Sequence, residues 1–563
     1  MSEISIVRVL KTKLDFCANT YGVAPCTASG APGSECYNTF GNCQDKLNYV
    51  KTVKVYKFTE IGAPIRPGEF TRPYVTKISK SPTEIDPEAG VARQANCTIT
   101  LRDATDPDVE SDPYVRNRAT PAGGTFLSRF KARHTNYQGR PCELETYQIV
   151  DGVWGTPTVE HYTFEQLKGP ARGEATFVLR DPLSLAMKTK VPTPTTGKLA
   201  LPLTVNDLQA TLGAGEGAQY PASGYFRHND EVIQYTGKAG DVLSWPDGTY
   251  RAKFGTAALA AKVGDSVQLC EILSGSVATV LQRLLNLCGI VDGSIDLAGM
   301  QSEDNTWLGA KYTILRCVAS PETAYDMMVQ ICRLTGGVIW WSSLDQKVKY
   351  KVIGPQAPSV VIGKTLTDEA NLIDGKTQVE RLDNLRITMS AVSYDLASAV
   401  ADPREPNNYR TGAAAIDLDA EGPNENNGRI VETFFGSWFG PANVQAMNSF
   451  VQRRISQYRD PPDKISFMLH PKDGAVKEAE LYDLETADIV DAAGEVLKSR
   501  VLILRRTDRG GEIDIVARTT TFNRRYGFIA PAGTPNYPNN NGYACVADAA
   551  GKMSDGTDGY RII

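Results

Sequence analysis

Residues 95–102 read "ANCTITLR", and the alternation within them sets the fold class. Cys97, Ile99 and Leu101 fall on one side of the chain and Asn96, Thr98, Thr100 and Arg102 on the other. That is the period of a strand with one buried face. Two neighbouring stretches repeat it, "VKTVKVYKFTE" from Val50 and "ATFVLRD" from Ala175. Between them "GGTFLSRFKARHTNYQGRPCELETYQIVDG", residues 123–152, mixes aromatic, basic and turn residues and reads as a barrel strand pair with long connections. Residues 51–190 are therefore expected to form an antiparallel β-barrel or sandwich.

Working outward, "KVPTPTTGKLALPLT" reads as a linker into a small all-β module over 191–270, whose short strands in "GYFRHNDEVIQYTGKAGDVLSW" are joined by polar turns. Residues 271–364 read as an α+β unit. Its first helix sets Val277, Val280, Leu281, Leu284, Leu285 and Cys288 at helical spacing, with Ser274 or Ser276 as cap and Gly289 at the end. A second helix is predicted from Ser320-Pro321-Glu322, with Met327, Met328, Ile331 and Leu334 as its apolar face and Gly336-Gly337 as its stop. A hairpin follows, with Val348, Tyr350 and Val352 alternating on the return strand. Residues 365–530 read as a second β-barrel with one helix after Pro441, faced by Val444, Met447, Val451, Ile455 and Tyr458, and a closing hairpin that turns at residues 508–511. Residues 531–563 are Pro-, Asn- and Gly-rich and read as an extended arm. The class is mainly β with α+β, in several domains.

Length agrees, because 563 residues exceed what single cores usually hold. A composition of 42% hydrophobic and 22% charged residues belongs to a folded, soluble chain rather than a disordered one. The net charge of -5, without a Lys/Arg run, gives no footprint for gripping nucleic acid. Glu3 and nearby lysines interrupt any signal-peptide core, and no apolar run approaches the roughly 18 residues of a membrane span. A cytoplasmic place of synthesis and no membrane span are expected.

Enzymatic signatures find little support. The four histidines, His134, His161, His228 and His470, lack the zinc-protease spacing, and no Gly-x-Ser-x-Gly elbow occurs. "GAGEGA" at residues 213–218 formally fits a dinucleotide loop, yet Pro221 and strand-like residues follow where a helix must open. "GKT" at residues 363–365 has Pro358 where a phosphate loop needs glycine. Catalytic residues are expected to be absent.

One local signal carries chemistry. Cys17, Cys26, Cys36 and Cys43 lie within 27 residues, separated by eight, nine and six others. A reducing compartment makes such a cluster a metal site before a disulfide framework. Zinc sites usually take cysteines from knuckles two to four residues apart, which this stretch lacks, whereas wide Gly- and Pro-bearing loops can wrap an iron–sulfur cluster. The cofactor expectation is an iron–sulfur cluster, 4Fe–4S in form, with zinc or no metal as alternatives; Lys11 and Lys13 could offset its charge or simply be solvated. Of the other cysteines, Cys97, Cys288 and Cys332 lie in apolar patterns and read as core.

The quartet, with "TYGVAPC" and "CYNTFGNC", resembles the cysteine module of L-type minor tail proteins of long-tailed bacteriophages, although its middle gap is shorter. That resemblance implies an iron–sulfur cluster held by Cys17, Cys26, Cys36 and Cys43, with residues 1–50 as the module. The downstream segments "GYFRHNDEVIQYTG", "KFGTAALAAKVGDSVQ", "AYDMMVQICRLTGGVIWWSSLDQKVKYKV" and "GKMSDGTDGYRII" resemble, in that order, recurring segments of siphophage tail-tip (baseplate) hub proteins. The implied architecture is two hub-type β-barrels with α/β pieces between. The implied function is structural. A homotrimeric hub would adapt the six-fold tail tube and distal tail protein to three-fold tip and central fibre proteins, enclose the C-terminal end of the tape-measure protein, and pass DNA without binding it. Its place would be the virion tail tip, assembled in the host cytoplasm. An iron–sulfur oxidoreductase and a tip-associated cell-wall hydrolase are the alternatives. Exposed Trp340-Trp341 would suit a carbohydrate-binding receptor protein, although neighbours in a strand face opposite sides and at least one should be core.

Overall fold

The computed structural model describes residues 4–28, 36–106, 112, 114–117, 123–343, 345–354, 364–423, 425, 428–508, 512–520, 528–529 and 560–561. The turn expected at 508–511 and the arm expected over 531–563 fall almost wholly outside them, as does Cys545. The chain is mainly β and multidomain, and it divides into two compact units. One comprises Met1–Thr83, Gln94–Leu185 and Trp341–Val348; the other comprises Glu84–Arg93, Ala186–Trp340 and Lys349–Ile563.

The first unit is a closed barrel. Its strands are β1 (Ile4–Cys17), β2 (Lys51–Glu60), β3 (Arg72–Ser81), β4 (Asn96–Arg102), β5 (Pro141–Val150), a short β6 (Val153–Trp154), β7 (Thr158–Ala171) and β8 (Glu174–Arg180). They follow the order β1-β2-β3-β4-β8-β7-β5, and β5 pairs back onto β1 to close the ring. Register puts the alternating apolar residues opposite one another: Leu10 faces Leu144 and Ile99 faces Phe177. The inward set includes Leu10, Leu14, Phe58, Ile99, Phe164 and Phe177.

A helix, α1 (Phe126–Arg133), plugs the ring where the sequence suggested strand. Phe126, Leu127 and Phe130 form its buried face, and the Phe130 ring stacks on Phe177 at 5.6 Å between centroids. Its start is held from a distance, since the Leu127 N–H donates to Asp103 Oδ1 at 2.9 Å while Thr125 makes no side-chain cap. A cap supplied by a residue so far upstream leaves no local helix signal.

In the second unit, the hairpin Gly224–His228/Glu231–Tyr235 turns at Asn229, whose left-handed φ of 47° suits a two-residue turn. These strands extend into Val267–Gly275 and Ile314–Val318. The helix Val277–Leu287 is capped by Ser276, as expected. The second expected helix runs Ala324–Thr335 with Thr323 as cap, starting later than expected because Glu322–Thr323 pair as strand with Lys190–Val191. Gly336 ends it at φ 66°.

The last sheet is a six-stranded half-barrel in the order Thr365–Thr367, Leu481–Glu485, Ser499–Asp508, Ile513–Thr519, Asp463–Leu469, Gln378–Arg381. No pairing between its end strands closes it among the described residues. Its core gathers Leu366, Ile465, Phe467, Leu484, Ile503 and Ile515. The helix Val444–Tyr458 packs instead on a separate three-stranded sheet of Met389–Leu396, Tyr409–Ile416 and Val431–Gly436. Met447, Val451, Ile455 and Tyr458 are buried as expected, but Val444 at the first turn is 45% exposed.

The excursion Glu84–Arg93 belongs to this unit. The Ile85 N–H donates to Leu504 O at 2.7 Å, and Glu88 Oε1 accepts from both Tyr458 and Arg518. Gly90, at φ +76°, is needed there, since a Cβ would meet Cys332 Cβ at 2.8 Å.

Candidate functional site

The cysteine segment hangs from the barrel as the connection between paired strands. Cys17 is the last residue of β1 and pairs with Lys51, the first of β2, so residues 18–50 leave and re-enter the barrel at one point. Backbone bonds fix that neck: the Cys17 N–H donates to Asn38 O at 2.7 Å and the Ala18 N–H to Val50 O at 2.8 Å. Strand geometry thus places Cys17, and through it the loop holding Asn38.

Tight turns place two more thiols. Gly22 takes a φ of 70°, and the Cys26 N–H donates to Val23 O at 2.9 Å. Cys43 closes the Phe40–Asn42 3-10 turn with a bond from its N–H to Phe40 O at 3.2 Å. Asp45 joins the two loops, its Oδ2 accepting from Thr27 N at 2.7 Å, Thr27 Oγ1 at 2.8 Å and Asn48 Nδ2 at 3.0 Å. Those donors hold its carboxyl down to about 2. Cys36 is followed by Tyr37, whose ring lies under the Arg133 guanidinium at 4.6 Å, so α1 supports this stretch from the barrel side. Buried Tyr21 is anchored by the bond from its N–H to Tyr114 Oη at 2.9 Å.

All four expected ligands line one pocket of about 20 Å³, with Asn19, Tyr21, Asn38, Gln44 and Asp45 among its other walls. That space suits no more than a water molecule. The thiols share a pocket without converging on a point: among the described residues, no group of three or more Cys, His, Asp or Glu side chains stands ready to hold a single ion. Four thiolates on one zinc would lie about 3.8 Å apart, as a tetrahedral 2.3 Å Zn–S shell requires. An iron–sulfur cube spreads its four iron corners, and its thiolates stand farther apart.

The donor types suit such a group, while the space between them would have to widen to admit it. Four cysteines line the pocket, with no histidine among the lining residues. Backbone N–H groups already address two of them, from Asn38 to Cys36 Sγ at 3.4 Å and from Asp45 to Cys43. Burial, aided by the neighbouring thiols, pushes the Cys36 and Cys43 thiols up. Binding a metal would therefore release protons as well as fix loops.

Lys11 and Lys13 do not reach the pocket; they pair with Glu145 and Glu143 on the barrel wall. Cys97, Cys288 and Cys332 are buried core residues, as are Cys142, Cys270 and Cys317. Neither Trp340 nor Trp341 is exposed, with 6% and 4% accessibility, so they form no sugar-stacking surface. His134 bonds Tyr56 Oη at 2.8 Å, and burial brings it down to about 4.

Sequence reading missed the buried carboxylate Glu231. It accepts from His228 Nε2 at 3.0 Å, Arg251 Nε at 2.9 Å and the backbone N–H groups of Ala252 and Leu259. An acidic residue opening an otherwise apolar strand, "EVIQY", was the available signal.

Comparisons with known proteins add loose likenesses. No protein-family model matches the sequence, and no curated protein does. Among solved structures, a tail protein of Neisseria meningitidis MC58 is similar over 78% of this chain and 90% of its own, at 9% identity and a TM-score of 0.34. The 43 kDa tail protein of prophage MuSo2 from Shewanella oneidensis is similar over 80% and 95%, at 10% identity and a TM-score of 0.35. In a native gene transfer agent virion the likeness covers 44% of this chain and only 48% of the other, at 14% identity and a TM-score of 0.31. At these scores the likenesses carry no functional weight. No helix among the described residues is long and apolar enough to cross a membrane.

Proposed function

We propose that this chain is a structural component of a phage tail, the trimeric hub of a long-tailed phage tip, and that its cysteine module holds a structural iron–sulfur cluster. The observation that supports this most directly is the meeting of Cys17, Cys26, Cys36 and Cys43 in one pocket despite their wide spacing. A closed barrel and a half-barrel, separated in sequence by an α+β unit, are consistent with the hub plan that the sequence resemblance implies. Bound there, a cluster would cross-link loops that have little core of their own. Cys17 would tie it to the barrel, Asp45 would keep the Cys26 and Cys43 loops together, and the N–H groups of Asn38 and Asp45 would stabilise negative sulfur. In this role the hub adapts the six-fold tube and distal tail protein to three-fold tip and fibre proteins, caps the tape-measure end and lets DNA pass.

The test is iron, zinc and acid-labile sulfide per chain in protein purified without oxygen, for the parent and Cys26→Ser. Iron and sulfide in near-equal amounts, with a broad absorption at about 400 nm lost in the variant, is the expected result. Zinc alone, or folded protein without metal, overturns the cluster. Turnover of peptidoglycan by the purified chain would favour the hydrolase reading instead.

A further inference from the structure

The half-barrel carries a cavity that the hub role does not use. It measures about 460 Å³ and is lined by Lys351, Lys364, Asp473, Glu480, Leu481 and Tyr482, with Ala475 and Val476. Its size falls within the roughly 300–1,000 Å³ of small-molecule sites.

Its polar groups are only partly satisfied by one another. Lys351 makes no hydrogen bond or ion pair among the described residues; Glu303 and Glu480 act on it from farther away, and burial holds its amine below the usual lysine range. Asp473 is 3% exposed, and its Oδ1 takes Lys364 Nζ and, at 3.0 Å, Asn371 Nδ2. Its Oδ2 has no donor but is buried away from solvent, so Asp473 serves to hold Lys364 and Asn371 in the wall. Glu480 Oε2 accepts from Tyr482 Oη at 2.8 Å, which leaves Oε1 open. Val476, Leu481 and the Tyr482 ring supply an apolar wall.

One unpartnered cation, one open acceptor oxygen and an apolar wall select among ligands. A neutral sugar leaves Lys351 without a counter-charge. A second carboxylate, as in an acidic peptide, meets repulsion from Asp473 and Glu480. A sugar acid engages all three features: carboxylate to ammonium, a hydroxyl donating to Glu480, and its C–H face against Tyr482 and Leu481.

We propose that this cavity binds an acidic saccharide residue, with Lys351 taking its carboxylate and Glu480 accepting from a hydroxyl. The site lies within one unit and stands independently of the cluster and of the hub role. The test is calorimetric titration of the full chain with sodium glucuronate, glucose and glutarate, the last a dicarboxylate without hydroxyls. Glucuronate should bind, and glucose at least about tenfold more weakly, as loss of one charge-assisted bond gives. Lys351→Gln, folded by circular dichroism, should lose glucuronate binding by a similar factor. Glu480→Gln provides a second variant and should weaken glucuronate several-fold. No binding of glucuronate by the folded parent overturns the site; glutarate bound as well as glucuronate overturns the saccharide assignment.

Discussion

Asp181 shows how much one residue can be set by its surroundings. It lies at the end of β8 with 1% exposure, accepts from Ala95 N at 3.0 Å through Oδ2, and has no donor on Oδ1. Burial raises its carboxyl from an ordinary value near 3.8 up to about 7, against the opposing backbone bonds and Arg180. Because the folded value exceeds the unfolded one, the folded barrel binds the extra proton. Stability is then fullest below the unfolded value and falls as pH rises from about 4 to about 7, on the order of 1 kcal/mol per pH unit. Urea unfolding followed at pH 4, 5.5, 7 and 8.5 should show this slope and then a plateau; Asp181→Asn should flatten it. An unchanged slope in the variant would assign the effect to other groups. Nothing in "FVLRDPLSLA" marks Asp181 as buried, because the group that encloses it arrives from Ala95, just before the neighbouring strand β4. Glu231 escapes sequence reading for the same reason, its arginine being twenty residues away.

Elements were legible where their signal was local. "ANCTITLR" forms β4 with Cys97, Ile99 and Leu101 inside, and Ser276 caps the helix it was expected to cap. The failures share a cause. Helix α1 depends on Asp103 for its start, the Ala324–Thr335 helix is shortened by a strand pairing with Lys190–Val191, and the position of Val444 depends on which sheet its helix packs against. The plug makes a direct prediction. Phe130 touches the rings of Tyr56, Phe126, His134 and Phe177. Phe130→Ala should cost about 3–5 kcal/mol in the barrel's denaturant transition, with Phe130→Leu costing much less. A loss under about 1 kcal/mol for the alanine variant would show that the helix rests on the ring without filling it. Of the candidate site, the four cysteines that line the pocket were legible from their clustering in the sequence. Its supports, Asp45, Tyr37 on Arg133 and Tyr21 on Tyr114, were not, because each joins residues far apart in the sequence.

At the scale of the whole molecule, the proposed role requires assembly. Light scattering of the purified chain should give a mass three times that of one copy, retained on dilution; a monomer at every concentration would overturn the trimeric hub. The architecture also sets the order in which the molecule can be completed. The hydrogen bond from Arg518 to Glu88 spans 430 residues, and Glu88 sits in a segment flanked on both sides by barrel strands. As the chain emerges from the ribosome, residues 84–93 appear long before their partners at 458, 504 and 518 have been translated. Gly90 and Ala92 can pair with Ile339 first, but the Ile85 and Glu88 partners come only near the end of synthesis. The larger unit therefore cannot be sealed by vectorial folding of its C-terminal half alone: the last strands close over a strap laid down near the start, and a nascent chain stopped before Arg518 carries that strap without its buried counter-charge.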